Sequence, residues 1–204
     1  TAQFTVTLDA ASGRTVTVDY VTSDITATAG SDYTAIGSTT LTFSPGTTTQ
    51  TIDVSILADT LDEDDETYDI TLSNPVNATI SDNNGIGTIV DNDTEPSLSI
   101  DDVTTNPEAA TTAQFTVTLD AASGRTVTVD YATSDVTATA GSDYTAIGST
   151  TLTFSPGTTT QTIDVSILDD TLDEDNETYN ITLSNPVNAT ISDNTGVGTI
   201  NDDD

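Results

Sequence analysis

The side chains able to do chemistry in this sequence are carboxylates, crowded into two short stretches. One holds Asp169, Asp170, Asp173, Glu174, Asp175 and Glu177 between Ile167 and Tyr179. Its near-twin, 111 residues earlier, holds Asp59, Asp62, Glu63, Asp64, Asp65 and Glu66 between Ile56 and Tyr68. So many like charges repel one another at neutral pH. Arg14 and Arg125 are the only cationic side chains, and there is no lysine or histidine. Neutralisation therefore calls for a cation from outside the chain. An all-oxygen set suits a hard divalent ion, and calcium above all. Catalysis is not expected. Without His, Cys or Lys there is no nucleophile–base pair and no imidazole chemistry. A glycosidase-like carboxylate pair would need cleft-forming loops and stacking aromatics, and both are scarce.

Composition narrows the partners. The 204 residues carry a formal net charge of −32. Nucleic acid is disfavoured, because phosphate binding needs clustered Lys or Arg, and attraction to anionic lipid fails on the same ground. There are no cysteines, so disulfides do not hold the fold. No apolar run approaches the roughly 18–20 residues that span a bilayer, and direct membrane insertion is not expected. Thr1 does not open a signal peptide, so export signals are expected outside this sequence. Acidity with 34% hydrophobic residues is a composition that disorder shares. Heavy use of Thr, Val and Ile with period-two patterning argues for strands instead.

The carboxylates must be positioned by that β structure. Residues 1–93 align with 112–204 without a gap and differ at nine positions. Such a period is too long for a solenoid, so each repeat is expected to have its own core. In the second copy the alternating runs are Phe115-Val117-Leu119, Val127-Val129-Tyr131, Leu152-Phe154, Ile163-Val165-Ile167, Tyr179-Ile181-Leu183, and Val197 with Ile200. Turn signals separate them at Ser123-Gly124, Ala140-Gly141-Ser142, Ser155-Pro156-Gly157, Asn185-Pro186 and Gly196. No helical period is present. The pattern predicts an all-β protein of tandem Greek-key β-sandwiches, immunoglobulin-like, with about seven strands each. Repeat one is 1–93. Repeat two is 94–204, in which 94–111 supply a linker and a first strand at Ser97–Asp101. The first domain is expected to lack that strand, because the fragment was cut from a longer chain or because a neighbouring chain lends it.

As a set, these motifs resemble Calx-beta domains, the modules of calcium-sensing segments in sodium–calcium exchangers and of extracellular matrix and bacterial surface proteins. The carriers are Asp130-Tyr131-Ala132-Thr133-Ser134-Asp135, Ala140-Gly141-Ser142-Asp143-Tyr144, Leu152-Thr153-Phe154-Ser155-Pro156-Gly157, the acidic loop, Leu183-Ser184-Asn185-Pro186 and the end Gly198-Thr199-Ile200-Asn201-Asp202-Asp203-Asp204. The resemblance implies Ca²⁺ at one end of the sandwich. Its ligands would be Glu108, Asp143, Asp169, Asp170, Glu174, Glu177, Asp202, Asp203 and Asp204, with the Leu172 carbonyl. Nine carboxylates exceed the need of one ion, which takes six to eight oxygens, so two or more ions are expected. In repeat one the set is Asp32, Asp59, Glu63, Glu66, Asp91 and Asp93. Ala58 and Asn92 replace Asp169 and Asp203 there. A weaker or smaller site is expected, with Glu95 as a completing ligand at the domain junction.

The resemblance implies a non-catalytic calcium-binding repeat of a large secreted or cell-surface protein, a stalk, adhesin segment or filament stiffened by calcium. Its partners would be neighbouring repeats and other copies of the chain in a fibre. Two other readings stand beside it: calcium-sensor domains of a transporter or receptor, and a strand-exchanging subunit of an extracellular polymer. Each arginine sits in an Ala-Ser-Gly-Arg turn and is expected to pair with a nearby acid or to contact a neighbouring chain.

Overall fold

The structure, a computed structural model, describes residues 1–105 and 111–203. Every regular element among them is a β-strand. The chain falls into two compact units, one of Thr1–Thr60 with Asp64–Asp91, the other of Leu61–Glu63 with Asn92–Asp204.

The second unit is a sandwich of two sheets. Its strands are β7 (Ser97–Ile100), β8 (Val103–Thr105), β9 (Thr112–Leu119), β10 (Val127–Asp135), β11 (Thr150–Phe154), β12 (Thr160–Ser166), β13 (Glu177–Val187), β14 (Thr190–Ile191) and β15 (Thr195–Ile200). One sheet runs β12-β9-β7-β14, the other β11-β10-β13-β15-β8. Alternation sets the inner faces: Ala113, Phe115, Val117 and Leu119 of β9 are buried while their neighbours face outward. The expected first strand is in fact two strands that serve both sheets. β7 pairs with β9 and β8 with β15. Asp101 and Asp102 make the crossing. The Asp101 carboxylate accepts the Thr116 N–H at 2.6 Å, and the Asp102 carboxylate accepts that of Val197 at 2.8 Å. These side-chain acceptors satisfy backbone donors where the strand changes sheets.

Three rings centre this core. Tyr144 stacks on Tyr179 with centroids 4.4 Å apart, and Phe115 meets Tyr179 edge-on at 6.0 Å. The last strand buries Ile200 as its sequence reading has it, but not Val197. Gly196, Gly198 and Ile200 point inward, and Val197 lies on the half-exposed face. A Cβ on Gly198 would stand 2.3 Å from the Tyr179 ring. Glycine stands at 198 because the ring occupies its side-chain space, and at 196 because a Cβ would meet the Asp101 carbonyl at 2.6 Å.

The first unit repeats part of this plan. Its strands are β1 (Ala2–Thr7), β2 (Val16–Asp24), β3 (Thr39–Phe43), β4 (Thr49–Val54), β5 (Glu66–Val76) and β6 (Asn84–Ile89). They form the sheets β1-β4 and β3-β2-β5-β6. Among the described residues, no counterpart of β7, β8 or β14 is present in this unit. Tyr33 stacks on Tyr68 at 4.5 Å, but Phe4, Val6 and Leu8 are only half-buried, where Phe115, Val117 and Leu119 are fully buried.

Candidate metal centre

In the second unit three parts of the chain meet at one end of the sandwich. The loop after β10 is tied first. The Asp135 carboxylate accepts the Ala140 N–H at 3.0 Å and the Tyr144 hydroxyl at 2.6 Å. These two donors hold the Asp135 carboxyl below its usual range, the Tyr144 hydroxyl most strongly. Burial, then the hydrogen bond to Asp135 and its charge, pushes the Tyr144 hydroxyl up to about 12. Gly141, at φ 92°, supplies the left-handed residue of the turn. Asp143 follows, 7% exposed, with its carboxylate accepting the Thr139 N–H at 2.6 Å. Its own carbonyl accepts the Leu168 N–H at 3.0 Å, which fixes the start of the acidic loop beside it.

That loop returns into β13 at Glu177, whose Cα partner in β15 is Ile200. Asp202 lies just beyond. Carboxylate oxygens of Asp143, Glu174 and Glu177 all lie within 4.8 Å of one another. The Asp202 amide donates to Asn176 Oδ1 at 3.2 Å, while its own Oδ1 is buried with no hydrogen-bond partner among the described residues. The Glu174 carboxyl is raised above its ordinary range by partial desolvation, then by the like charges of Asp170, Asp143 and Asp202. Glu174 itself stays exposed. Three of the carboxylates named from the sequence therefore meet, Asp143, Glu174 and Glu177, and the charges of Asp170 and Asp202 are near enough to act on Glu174. The Asp170 carboxylate also accepts the Leu172 N–H at 2.8 Å and shapes the loop there. Asp169 and Asp203 are exposed and stand outside the tight group of three. Glu108 and Asp204 lie outside the described residues.

In the first unit Asp32 and Glu66 take the places of Asp143 and Glu177, with carboxylate oxygens within 4.8 Å. Asp32 is held as Asp143 is, accepting the Thr28 N–H at 2.6 Å and giving its carbonyl to Leu57 N–H at 2.9 Å. The Asp91 amide donates to Asp65 Oδ1 at 3.0 Å. Asp59 is exposed beside Ala58. Glu63 and Asp93 group with the second unit. Glu95, named as a completing ligand, is exposed and 4.0 Å from the Arg125 guanidinium, an acid partner of the kind expected for that arginine.

Sequence reasoning missed Asn176 and Asp65 as positioning residues. Both are acceptors on a short side chain at the same repeat position, and each takes the amide of the first aspartate after the last strand. That shared property at a position where the repeats differ was the available signal.

The donor set fits a hard cation. Oxygens bound to one Ca²⁺ at about 2.3–2.6 Å stand no more than about 5 Å apart, and the group of three meets that limit. The buried Asp202 oxygen lacks a protein donor, and a cation would supply its missing counter-charge. Thiolate and imidazole ligands of softer metals do not exist in this chain.

The family model of the Calx-beta domain matches residues 1–95 and 91–204. Extracellular matrix protein 3 of Lytechinus variegatus is 33% identical over 151 residues, 68% of this chain and 5% of that protein. FRAS1-related extracellular matrix protein 1 of Homo sapiens is 39% identical over 56 residues, 28% of this chain and 3% of that protein. The chain thus spans a small fraction of the length of these relatives. Among solved structures, the apo-form Calx CBD1 domain superposes with a TM-score of 0.51 at 25% identity, over 54% of this chain and all of that one.

Proposed function

The chain belongs to the Calx-beta domain family, and from that membership we propose that it is a non-catalytic, calcium-binding repeat segment of an extracellular protein. The observation that carries this is the convergence of Asp143, Glu174 and Glu177 within 4.8 Å, with the unpartnered Asp202 oxygen close by in sequence to the end of β15. Calcium is the ion, held chiefly by Asp143, Asp170, Glu174, Glu177 and Asp202. The similar matrix proteins support an extracellular setting, where calcium is abundant. The first unit has the weaker site, because Ala58 and Asn92 offer no carboxylate.

Within that reading the role is mechanical. Near-identical repeats suit an array, and the acidic pole stands where the chain leaves the last strand of the second unit. Filling it stiffens the chain as a stalk, adhesin segment or filament. The second reading, favoured by the likeness to a Calx CBD1 domain, is a sensor whose calcium occupancy regulates an attached protein.

Calorimetric calcium titration tests the site. The chain should take up calcium with measurable heat, and the double variant Asp170→Asn, Glu174→Gln should lose most of it. Equal heats from both would remove the metal assignment. Small-angle scattering with calcium and with chelator then separates the roles, since a stalk must become stiffer with the ion and scattering unchanged by chelation would leave only the sensor.

A further inference from the structure

We propose that the second unit is a load-bearing clamp, whose entering and leaving strands are paired so that tension along the chain pulls them in shear. The use of such a clamp rests on the mechanical reading above, but its strength comes from the strands and needs no calcium. β8 pairs parallel with β15, which sets Val103, Thr104 and Thr105 against Gly198, Thr199 and Ile200. β7 begins beside Thr190, in parallel pairing with β14. β15 ends at Ile200, opposite Glu177 of the acidic pole. The chain therefore enters at one end of the sandwich and leaves at the other. A pull draws β8 towards its start and β15 towards its end. The two must slide past each other, and the evenly spaced bonds of a parallel ladder are loaded together. Strands drawn apart from one end would instead part bond by bond.

The entering strand is pinned along its length. The amides of Thr190 and Ser192 donate to the carbonyls of Pro96 and Leu98 at 2.9 and 2.8 Å, and the Asn201 amide donates to that of Thr105 at 3.1 Å. The Ser97 amide donates to the Asp120 carboxylate at 2.7 Å. Asp101 and Asp102 hold the crossing to both sheets at once, the first by the Thr116 amide of β9 and the second by the Val197 amide of β15. Leu98 and Ile100, 0% and 4% exposed, must leave the core before the strand can slide, which exposes apolar surface to water. Forced unfolding is governed by the barrier to leaving the native state. Asp101 and Asp102 are the positioning residues of that barrier.

The test is single-molecule force spectroscopy on the full chain. It has no cysteine, so pairs of introduced cysteines fix the pulling axis. Thr94→Cys with a cysteine appended after Asp204 loads β8 against β15 in shear. Thr94→Cys with Val187→Cys draws β7 off β14 from the end at which both begin. Thr94 and Val187 are exposed. In chelator and at one loading rate, the shear axis should rupture at a force at least about twofold above the peeling axis, because several hydrogen bonds share the load. Asp101→Ala with Asp102→Ala should remove at least half of that difference. Asp101→Asn with Asp102→Asn, which keeps an acceptor oxygen at each position, should retain it.

Equal forces along the two axes would overturn the clamp. So would a difference that appears only with calcium, which would leave the stalk reading standing with the ion as the load-bearing part. A difference present in chelator and unchanged by calcium would keep the clamp and remove the calcium-stiffened stalk. Loss of the difference in the asparagine pair as well as the alanine pair would overturn the role of the two aspartates as acceptors.

Discussion

At the residue scale, Asp143 is the best-anchored carboxylate of the proposed calcium site. Its carbonyl and one carboxylate oxygen are already held by backbone donors. Asp143→Asn keeps an oxygen for the Thr139 N–H and removes only the charge, so the loop should stay folded. Calcium affinity should fall about 10–100-fold, the equivalent of about 1.5–3 kcal/mol for one charge-assisted contact, as calorimetry can read. Glu174 makes binding pH-dependent. Shielding from water, together with the charges of Asp170, Asp143 and Asp202, raises its carboxyl above the ordinary 4.5. A raised folded pKa contributes stability that is complete below the unfolded value and is lost as pH rises through the folded one. The calcium-free protein should therefore gain from protonating Glu174, whereas the ion needs it ionised. Calcium affinity should drop as pH falls through that raised value, and Glu174→Gln should flatten the profile. Charge density marks the acidic loop that carries Glu174 and Glu177, whereas Asp143 is named only through the family resemblance; the structure brings carboxylate oxygens of all three together. The buried oxygen of Asp202 and the role of Asn176 were not legible in the sequence, because a hydrogen bond across 26 residues leaves no local pattern.

At the scale of elements, alternation foretold strands β9, β10, β12 and β13, because each buries one face of β-branched and aromatic side chains. In β15 it placed Ile200 and misplaced Val197. Glycine has no side chain to register as apolar, so the inward Gly196 and Gly198 were passed over for the half-exposed Val197. It also compressed β7 and β8 into one strand, since Asp101 and Asp102 read as a polar break rather than as acceptors for Thr116 and Val197. The glycine face carries a prediction. Gly198→Ala sets a methyl 2.3 Å from the Tyr179 ring, and that ring is locked against Tyr144 and Phe115. Overpacking of this kind costs about 1–3 kcal/mol. Since each kcal/mol moves the midpoint by roughly 4–8 °C in a domain of this size, calorimetry should show a fall of about 4–24 °C. Gly87→Ala should act likewise on the first unit through Tyr68, 2.4 Å away. Gly148→Ala, where a Cβ meets nothing within 4 Å, should leave both transitions in place.

At the scale of the whole molecule, two repeats of nearly identical sequence bury unequal cores. Among the described residues, nineteen buried apolar side chains form one core in the second unit, against nine divided between two clusters in the first. The difference comes from Leu98, Ile100 and the residues they cover, a segment that the 93-residue alignment does not contain. Hydrophobic stabilisation follows area removed from water, so the first unit should unfold at the lower temperature. Calcium should widen the gap. An ion present at about 100 times its Kd stabilises a folded unit by about 2.7 kcal/mol, and the second unit holds the fuller carboxylate set. Salt should act differently. With a net charge of −32, both units are destabilised by self-repulsion, which ions screen without a specific site. Scanning calorimetry in chelator, in chelator with about 0.5 M NaCl, and in millimolar calcium separates these effects. Salt should raise both midpoints by similar amounts, and calcium should raise the upper one more. The lower transition is assigned by Gly87→Ala, which should shift it alone. A single transition, or one in which calcium does no more than salt, would mean that charge screening suffices and the acidic pole holds no particular ion.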